Sequence, residues 1–342
     1  MMGRDRFLAA ANLQPVDTTP VWFMRQAGRC LPEYRALRKQ YSFMELAHTP
    51  ELAVQATLMP VDRFGVDGAV LFADIMLPLE GMGVEFEIKP GVGPVIANPI
   101  RTMADVEALQ VVGPEEGTPY VLEALTLLRH ELGDRAAVLG FAGAPWTLAC
   151  YLVDGRPSKE YPKTKAMMYG EPRLWHALME KLTQVTELYV QGQAEAGADV
   201  VQLFDSWLGL VDSDSYRAHV LPYTARIFSA LRQSVPTIHF STGTTHLLAA
   251  IRDTRPNMVS VDWRIRIEDA WDILGDEIGI QGNLDPAMMF APWSAIEAAA
   301  SDILTQTRGR NGHIFNLGHG IHPETDPGKL LELTQFVHNF RS

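Results

Sequence analysis

The chain is poor in cysteine, in long apolar runs and in positive charge. Its 342 residues include two cysteines, Cys30 and Cys150, far apart and with no second thiol near either. That excludes a disulfide framework and a structural zinc site, and makes a reducing cytoplasm the expected compartment. No apolar run reaches the roughly 18 residues of a membrane span. Lys and Arg total 29 against 41 Asp and Glu, a net charge of −12, so nucleic acid is not the expected partner. A small anion is not excluded, because a local arginine cluster can dominate its own cleft. Internal repeats, low-complexity segments and Gly/Ser linkers are also missing. The apolar patch at the start, MMGRDRFLAAANLQP, is too short for a secretory core and reads as a first amphipathic helix.

Short apolar runs ending in a polar or Gly-rich step recur along the chain. They are Val21–Met24, Ala69–Ala73, Ala137–Phe141, Val200–Phe204, Thr237–Phe240, Met258–Val261, Gly279–Gln281 and Ile314–Leu317, eight in all. Most are rich in Val, Ile, Leu and Phe, as strands buried on both faces are. Helical patterns lie between them. Thr49-Pro50-Glu51 and Thr102-Met103-Ala104-Asp105 are helix starts, and Glu171–Gly197, Asp214–Arg232, Thr245–Arg252, Ile267–Leu274, Ala291–Gln306 and Asp326–Phe340 have helical period. Eight strands alternating with helices predict an α/β chain folded as a single (β/α)8 barrel over residues 1–342. An open doubly wound sheet is the alternative; it is weakened by the count and by the lack of a GxGxxG turn after the first run. Residues 83–100, GVEFEIKPGVGPVIANPI, alternate and are punctuated by Gly and Pro, which predicts a β-hairpin inserted after the second strand.

In such a barrel the active site gathers at the C-terminal strand ends. The runs end there in Arg25, Asp74, the Gly140–Trp146 segment, Asp205-Ser206-Trp207, Ser241, Asp262, Asn283 and Gly318-His319-Gly320. Strand ends are polar in any case, so each position alone is ambiguous; together they point to a site. Asp74 is either a helix cap or arginine partner, or a carboxylate that accepts several N–H donors and faces a developing cation. Gly140 and Gly143 are turn residues or let a flat ligand approach the backbone. Tyr151 is a core aromatic or a site hydroxyl. Ser206 lacks an adjacent base and a GxSxG elbow, so a hydrogen-bonding role fits better than a nucleophilic one. His319, between two glycines, has little beside it to pack on, which favours a polar contact. Arg25 and Arg29 are a structural ion pair or a carboxylate clamp, with Arg35 and Arg38 extending the positive segment. The residues alone thus describe an enzyme without metal or cofactor, acting on a multiply carboxylated, partly apolar molecule.

PVWFMRQAGRCLPEYR and GFAGAPWTLACYLVDG resemble the two signatures of the uroporphyrinogen decarboxylase family. LFADIMLPLEGMG, QLFDSW, QGNLDP and FNLGHGI follow its order across nearly the whole chain. The resemblance implies a cytoplasmic, homodimeric (β/α)8 barrel of porphyrin and heme biosynthesis, binding neither nucleic acid nor membrane. It implies four cofactor-free decarboxylations that turn the acetate arms of a tetrapyrrole, uroporphyrinogen III, into the methyl groups of coproporphyrinogen III. Carried over residue by residue, it implies catalytic roles for Asp74, Arg25 and Arg29. Substrate binding falls on Arg25, Gln26, Ala27, Gly28, Arg29, Asp74, Tyr151, Ser206 and His319, and no metal ligand is implied. The nearest rival is a corrinoid or thiol methyltransferase of the same superfamily. It needs a His-x-Cys plus a later Cys to hold zinc. Here the corresponding stretch is His239-Phe240-Ser241, and no cysteine follows Cys150. A non-catalytic tetrapyrrole-binding protein on the same barrel is the second rival; it would be expected to have lost Asp74 or an arginine of the first motif.

Overall fold

The computed structural model describes every residue except Pro90, Arg308 and Ser342. In chain order the strands are β1 (Gly68–Val70), β2 (Phe86–Lys89), β3 (Gly93–Ile96), β4 (Ala137–Gly143), β5 (Val200–Asp205), β6 (Thr237–Ser241), β7 (Met258–Ser260), β8 (Gly279–Leu284) and β9 (His313–Leu317). Seven of them form one curled parallel sheet in the order β1-β4-β5-β6-β7-β8-β9. β4 and β8 are buried along their whole length, which is why they read as continuous apolar or small-residue runs. β8 spans six residues, twice the apolar stretch visible in the sequence, because Gly282 and Asn283 continue its pairing with β9.

The first expected strand is different. Val21–Met24 forms no strand and makes one parallel bridge, Val21 with Phe315. Its amides still bond both neighbours: Trp22 N donates to Phe315 O at 3.3 Å, and Asp67 N donates to Val21 O at 2.7 Å. Beyond that the backbone turns away. Phe23 N donates to the Gln26 side chain at 3.0 Å, and Met24 N to Asn316 Oδ1 at 3.2 Å, so side chains take the place of ladder partners. A polar network crosses the sheet's concave side beneath this turn. Trp22 Nε1 donates to Gln281 Oε1 at 2.8 Å, and Gln281 Nε2 donates to Gln202 Oε1 and Ser260 Oγ, each at 3.0 Å. Trp22 and Gln281 thus place their buried donors on acceptors, while Gln202 Nε2 is left without a partner.

β2 and β3 form a separate antiparallel pair, Phe86 opposite Ile96 and Lys89 opposite Gly93; Pro90, part of the expected hairpin, lies outside the described residues. The helices follow the sequence with local differences. Thr102 and Asp105 form a capping box, a device that contributes about 1 kcal/mol. The pattern over 214–232 is two helices, Ser213–His219 and Leu221–Leu231, because Pro222 brings no N–H and starts a new first turn. The 245–252 stretch opens as a 3-10 turn, Thr245–Leu247, before Leu248–Asp253. No helix among the described residues is long and apolar enough to cross a membrane.

Candidate active site

At the C-terminal strand ends lies a cleft of about 720 Å3. Its lining includes Arg25, Ala27, Gly28, Arg29, Asp74, Tyr151, Ser206 and His319, eight of the nine residues predicted from sequence. The ninth, Gln26, is wholly buried beneath the cleft. Its Oε1 accepts Phe23 N–H, and its Nε2 donates to Gly68 O at 2.8 Å. Both ends of the amide are engaged with backbone, so Gln26 builds the turn and anchors it to β1. The consequence is local strain next door: Arg25 takes a left-handed backbone with φ +62°. A long side chain rarely adopts that conformation, and such outliers gather at functional sites.

Arg25 and Arg29 are both exposed to the cleft, and among the described residues neither has a carboxylate within 4.0 Å. The Arg25 side chain lies across Gly320, where an added Cβ would sit 2.5 Å from Arg25 Cδ. Gly320 is therefore small to make room for the arginine. Gly140 and Gly143 turn out to serve packing instead of ligand approach. A Cβ on Gly140 would sit 2.4 Å from Gln193 Oε1, and one on Gly143 2.7 Å from Leu148 Cδ2. Gln193 in turn accepts Phe141 N–H at 2.7 Å and donates to Phe141 O at 2.8 Å, locking the long helix Pro172–Glu195 onto β4.

Asp74 sits on the cleft wall, packed round by protein yet open to the cavity. Its Oδ1 accepts Met76 N–H at 2.9 Å, so it does cap its own turn. Among the described residues Oδ2 takes no hydrogen bond. Burial pushes its pKa up to about 6, against the opposing pull of the Met76 N–H and the Arg25 charge. It is the one carboxylate in a lining that also holds Arg25, Arg29, Arg38 and Lys89. Sequence reasoning missed Lys89 and the rest of the β2–β3 arm: Ile88, Gly91, Val92, Gly93 and Pro94 also line the cleft. The signal was present, since a lysine closes the alternating run, but nothing local shows that the arm folds back over the strand ends.

His319 does pack, edge-on against Phe240 at 5.9 Å. Its Nδ1 accepts Gly320 N–H at 2.7 Å. Burial, reinforced by Arg25, pulls its pKa down to about 4. The ring is therefore neutral near pH 7 with its proton on Nε2, a donor without charge. Tyr151 is buried on the helix Pro145–Asp154 and still touches the cleft. Burial raises its pKa, so it remains a hydroxyl donor. Ser206 follows directly on β5, and Phe72, Phe141, Phe204 and Phe240 complete an apolar wall. The arrangement offers cations, neutral donors and one lone carboxylate around a flat apolar surface.

His239, the only histidine of the His-x-Cys comparison, faces away from this cleft. It is fully buried, 3.8 Å from Asp205 and edge-on to Phe228 at 5.5 Å. Cys30 and Cys150 are buried thiols, and burial raises the pKa of both, Cys30 to about 11. Among the described residues no three His, Cys, Asp or Glu side chains converge as metal ligands.

Comparison with known proteins supplies the family. The sequence matches the uroporphyrinogen decarboxylase (URO-D) family over residues 2–340. It is 50% identical over 339 residues to the uroporphyrinogen decarboxylase of Geobacillus sp. (strain WCH70), covering 99% of this chain and 98% of that one. It is 46% identical to the uroporphyrinogen decarboxylase of Roseiflexus sp. (strain RS-1), covering 99% of each. Among solved structures, a methyltransferase from Methanosarcina mazei superposes with a TM-score of 0.82 at 22% identity, covering 98% of both chains, a likeness of fold alone. With its two long motifs in one cleft and relatives matched from end to end, the chain belongs to the uroporphyrinogen decarboxylase family.

Proposed function

We propose that this chain decarboxylates uroporphyrinogen III to coproporphyrinogen III, with protons as the only co-reactant. Each of four acetate arms loses CO2 and gains a proton to become a methyl group. The observation that carries the reading is the charge pattern of the cleft: unpaired Arg25 and Arg29 at one edge and Asp74 as the one carboxylate of the lining.

The chemistry follows from those groups. Breaking the bond to CO2 leaves an electron pair that needs a sink. A pyrrole protonated at a ring carbon is such a sink, and it is cationic. Asp74 Oδ2 accepts pyrrole N–H groups and stabilises that cation. A carboxylate with pKa about 6 is ionised at neutral pH, as this role requires. Arg25 and Arg29 hold the arm carboxylates and orient the macrocycle. Tyr151, Ser206 and neutral His319 donate to carboxylate oxygens without adding charge that would compete with the cation. Ala27 and Gly28 shape the floor between the arginines, and Gln26 holds their turn. In this reading residues 1–342 form one closed (β/α)8-type barrel. The hydrogen bonds of Val21 and Trp22 to both neighbours support it, with the β2–β3 pair as an insertion after the second strand position. The functional unit is a cytoplasmic homodimer that engages neither nucleic acid nor membrane.

A methyltransferase reading needs a soft-ligand metal site; Cys30 borders this cleft, but His239 and Cys150 are buried outside its lining, and among the described residues no three metal-ligating side chains converge. The test is anaerobic turnover of uroporphyrinogen III with counting of product carboxylates. Loss of four carboxylates supports the proposal; tight binding with all eight carboxylates intact overturns it.

A further inference from the structure

Asp205 is a buried carboxyl group that the chemistry above does not use and that, unlike buried Asp67, Asp199 and Asp262, has no arginine partner among the described residues. It ends β5 with its side chain turned towards the helices, while Phe204 faces the cleft. It is fully buried, and its Oδ1 accepts the Thr147 hydroxyl at 2.8 Å. The hydroxyl hydrogen is thereby committed to Asp205, and the Thr147 oxygen accepts Trp207 N–H at 3.4 Å. Asp205 Oδ2 has no hydrogen bond, and both His239 ring nitrogens beside it are unpaired too. Stability alone gives no reason for this arrangement, since a well-packed apolar set of similar volume does as well or better than a sparsely bonded buried carboxylate. Position does give a reason. Thr147 lies one helical turn before Tyr151 on the same helix, and Ser206 is the residue after Asp205. Trp207 packs edge-on against the Tyr151 ring at 6.2 Å and at a tilt against Tyr161 at 5.2 Å. One buried hydroxyl therefore ties the end of β5 to the helix opposite, and both carry cleft residues.

We propose that Asp205 and Thr147 are positioning residues, a buried clamp that holds Tyr151 and Ser206 in register across the cleft wall. The inference rests on the proposed roles of Tyr151 and Ser206. Because a small misplacement of a substrate-orienting group is expensive, Thr147→Val, which keeps the shape and removes the hydroxyl, lowers kcat/KM about tenfold. Most of the loss falls in kcat, and Thr147→Ser restores it. In a Tyr151→Phe background the same Thr147→Val change costs less than about twofold, because the group it positions is already gone. Asp205→Asn keeps an accepting oxygen and stays within about threefold of the parent, which reads the clamp independently if Thr147→Val folds poorly. A folded Thr147→Val with parental kcat and KM, a full additive penalty in the double variant, or a tenfold loss in Asp205→Asn overturns the clamp. A silent Tyr151→Phe overturns the site reading, and the clamp with it; an effective Tyr151→Phe with additive Thr147→Val overturns the clamp alone.

Discussion

The two ends of the sheet use the same residue type in opposite ways. At the N-terminal strand ends every key arginine is neutralised. Arg6 pairs with Asp17 at 2.7 Å and Asp67 at 2.6 Å, and Arg4 and Arg129 both grip Asp199. Asp67 and Asp199 each sit one residue before a strand, and each also binds backbone. Asp67 Oδ2 accepts Val21 N–H at 2.8 Å and His338 Nε2 at 2.7 Å, so one carboxylate joins the first helix, the 20–24 turn and the last helix. At the C-terminal ends Arg264 pairs with Asp262, but Arg25 and Arg29, which line the cleft, are left without a carboxylate, and Asp74 without an arginine in contact. A satisfied arginine contributes to holding the fold; an unsatisfied pair beside an unsatisfied acid is ready for a ligand. The difference separates stability from function more clearly than residue type does.

The comparison is most easily broken at Asp74. Asp74→Asn keeps the Met76 cap and removes the charge, and is expected to lower turnover by about 10^3-fold or more. The same variant should be more stable than the parent. Burial raises the folded pKa above the ordinary aspartate value, to about 6, so the folded state holds the proton more tightly than the unfolded one. Stability is therefore lost as pH rises from about 4 to about 6, and the cost is fully present above that. Thermal unfolding at pH 8 should show Asp74→Asn stabilised by about 1–2 kcal/mol, with the gain gone below about pH 4. In the parent, kcat/KM should fall as pH drops through about 6. A flat profile down to pH 5 would remove Asp74 from the chemistry.

The rim arginines come next. Arg29→Ala and Arg25→Ala should each raise KM by about 10–100-fold while leaving the unfolding midpoint nearly unchanged, since neither makes an ion pair. Asp67→Ala should do the reverse. It strands partly buried Arg6 and leaves Val21 N–H unpaired, costing about 3 kcal/mol in urea unfolding, with kcat of the folded enzyme unaltered. If Asp67→Ala impaired turnover more than stability, the division between the two faces would fail. The smallest effect is expected at Gly320→Ala, whose new Cβ would crowd Arg25 Cδ from 2.5 Å. A flexible side chain yields cheaply, so a rise in KM of about threefold is expected with little change in kcat.

The sequence by itself determined most of the strand and helix alternation, since buried runs and 3.6-residue periods are local signals, and it placed Asp74, Ser206 and His319 just beyond strands. Motif matching named them as a set for the same reason: their chemistry travels with short contiguous stretches. Only the tertiary structure decided which side chains face the cleft. Gln26 lies between two rim residues in sequence yet turns inward, because Phe23 and Gly68 offer its amide better partners than solvent does. Val21–Met24 has the composition of a strand and is not one, because its amides are claimed by Gln26 and by Asn316, the latter 292 residues away. Lys89 joins the cleft through an arm that folds back over it, and Asp205 turns away from a cleft that its neighbours Phe204 and Ser206 both line. Those outcomes are set by contacts between segments remote in sequence, and no local pattern of residues encodes such a contact.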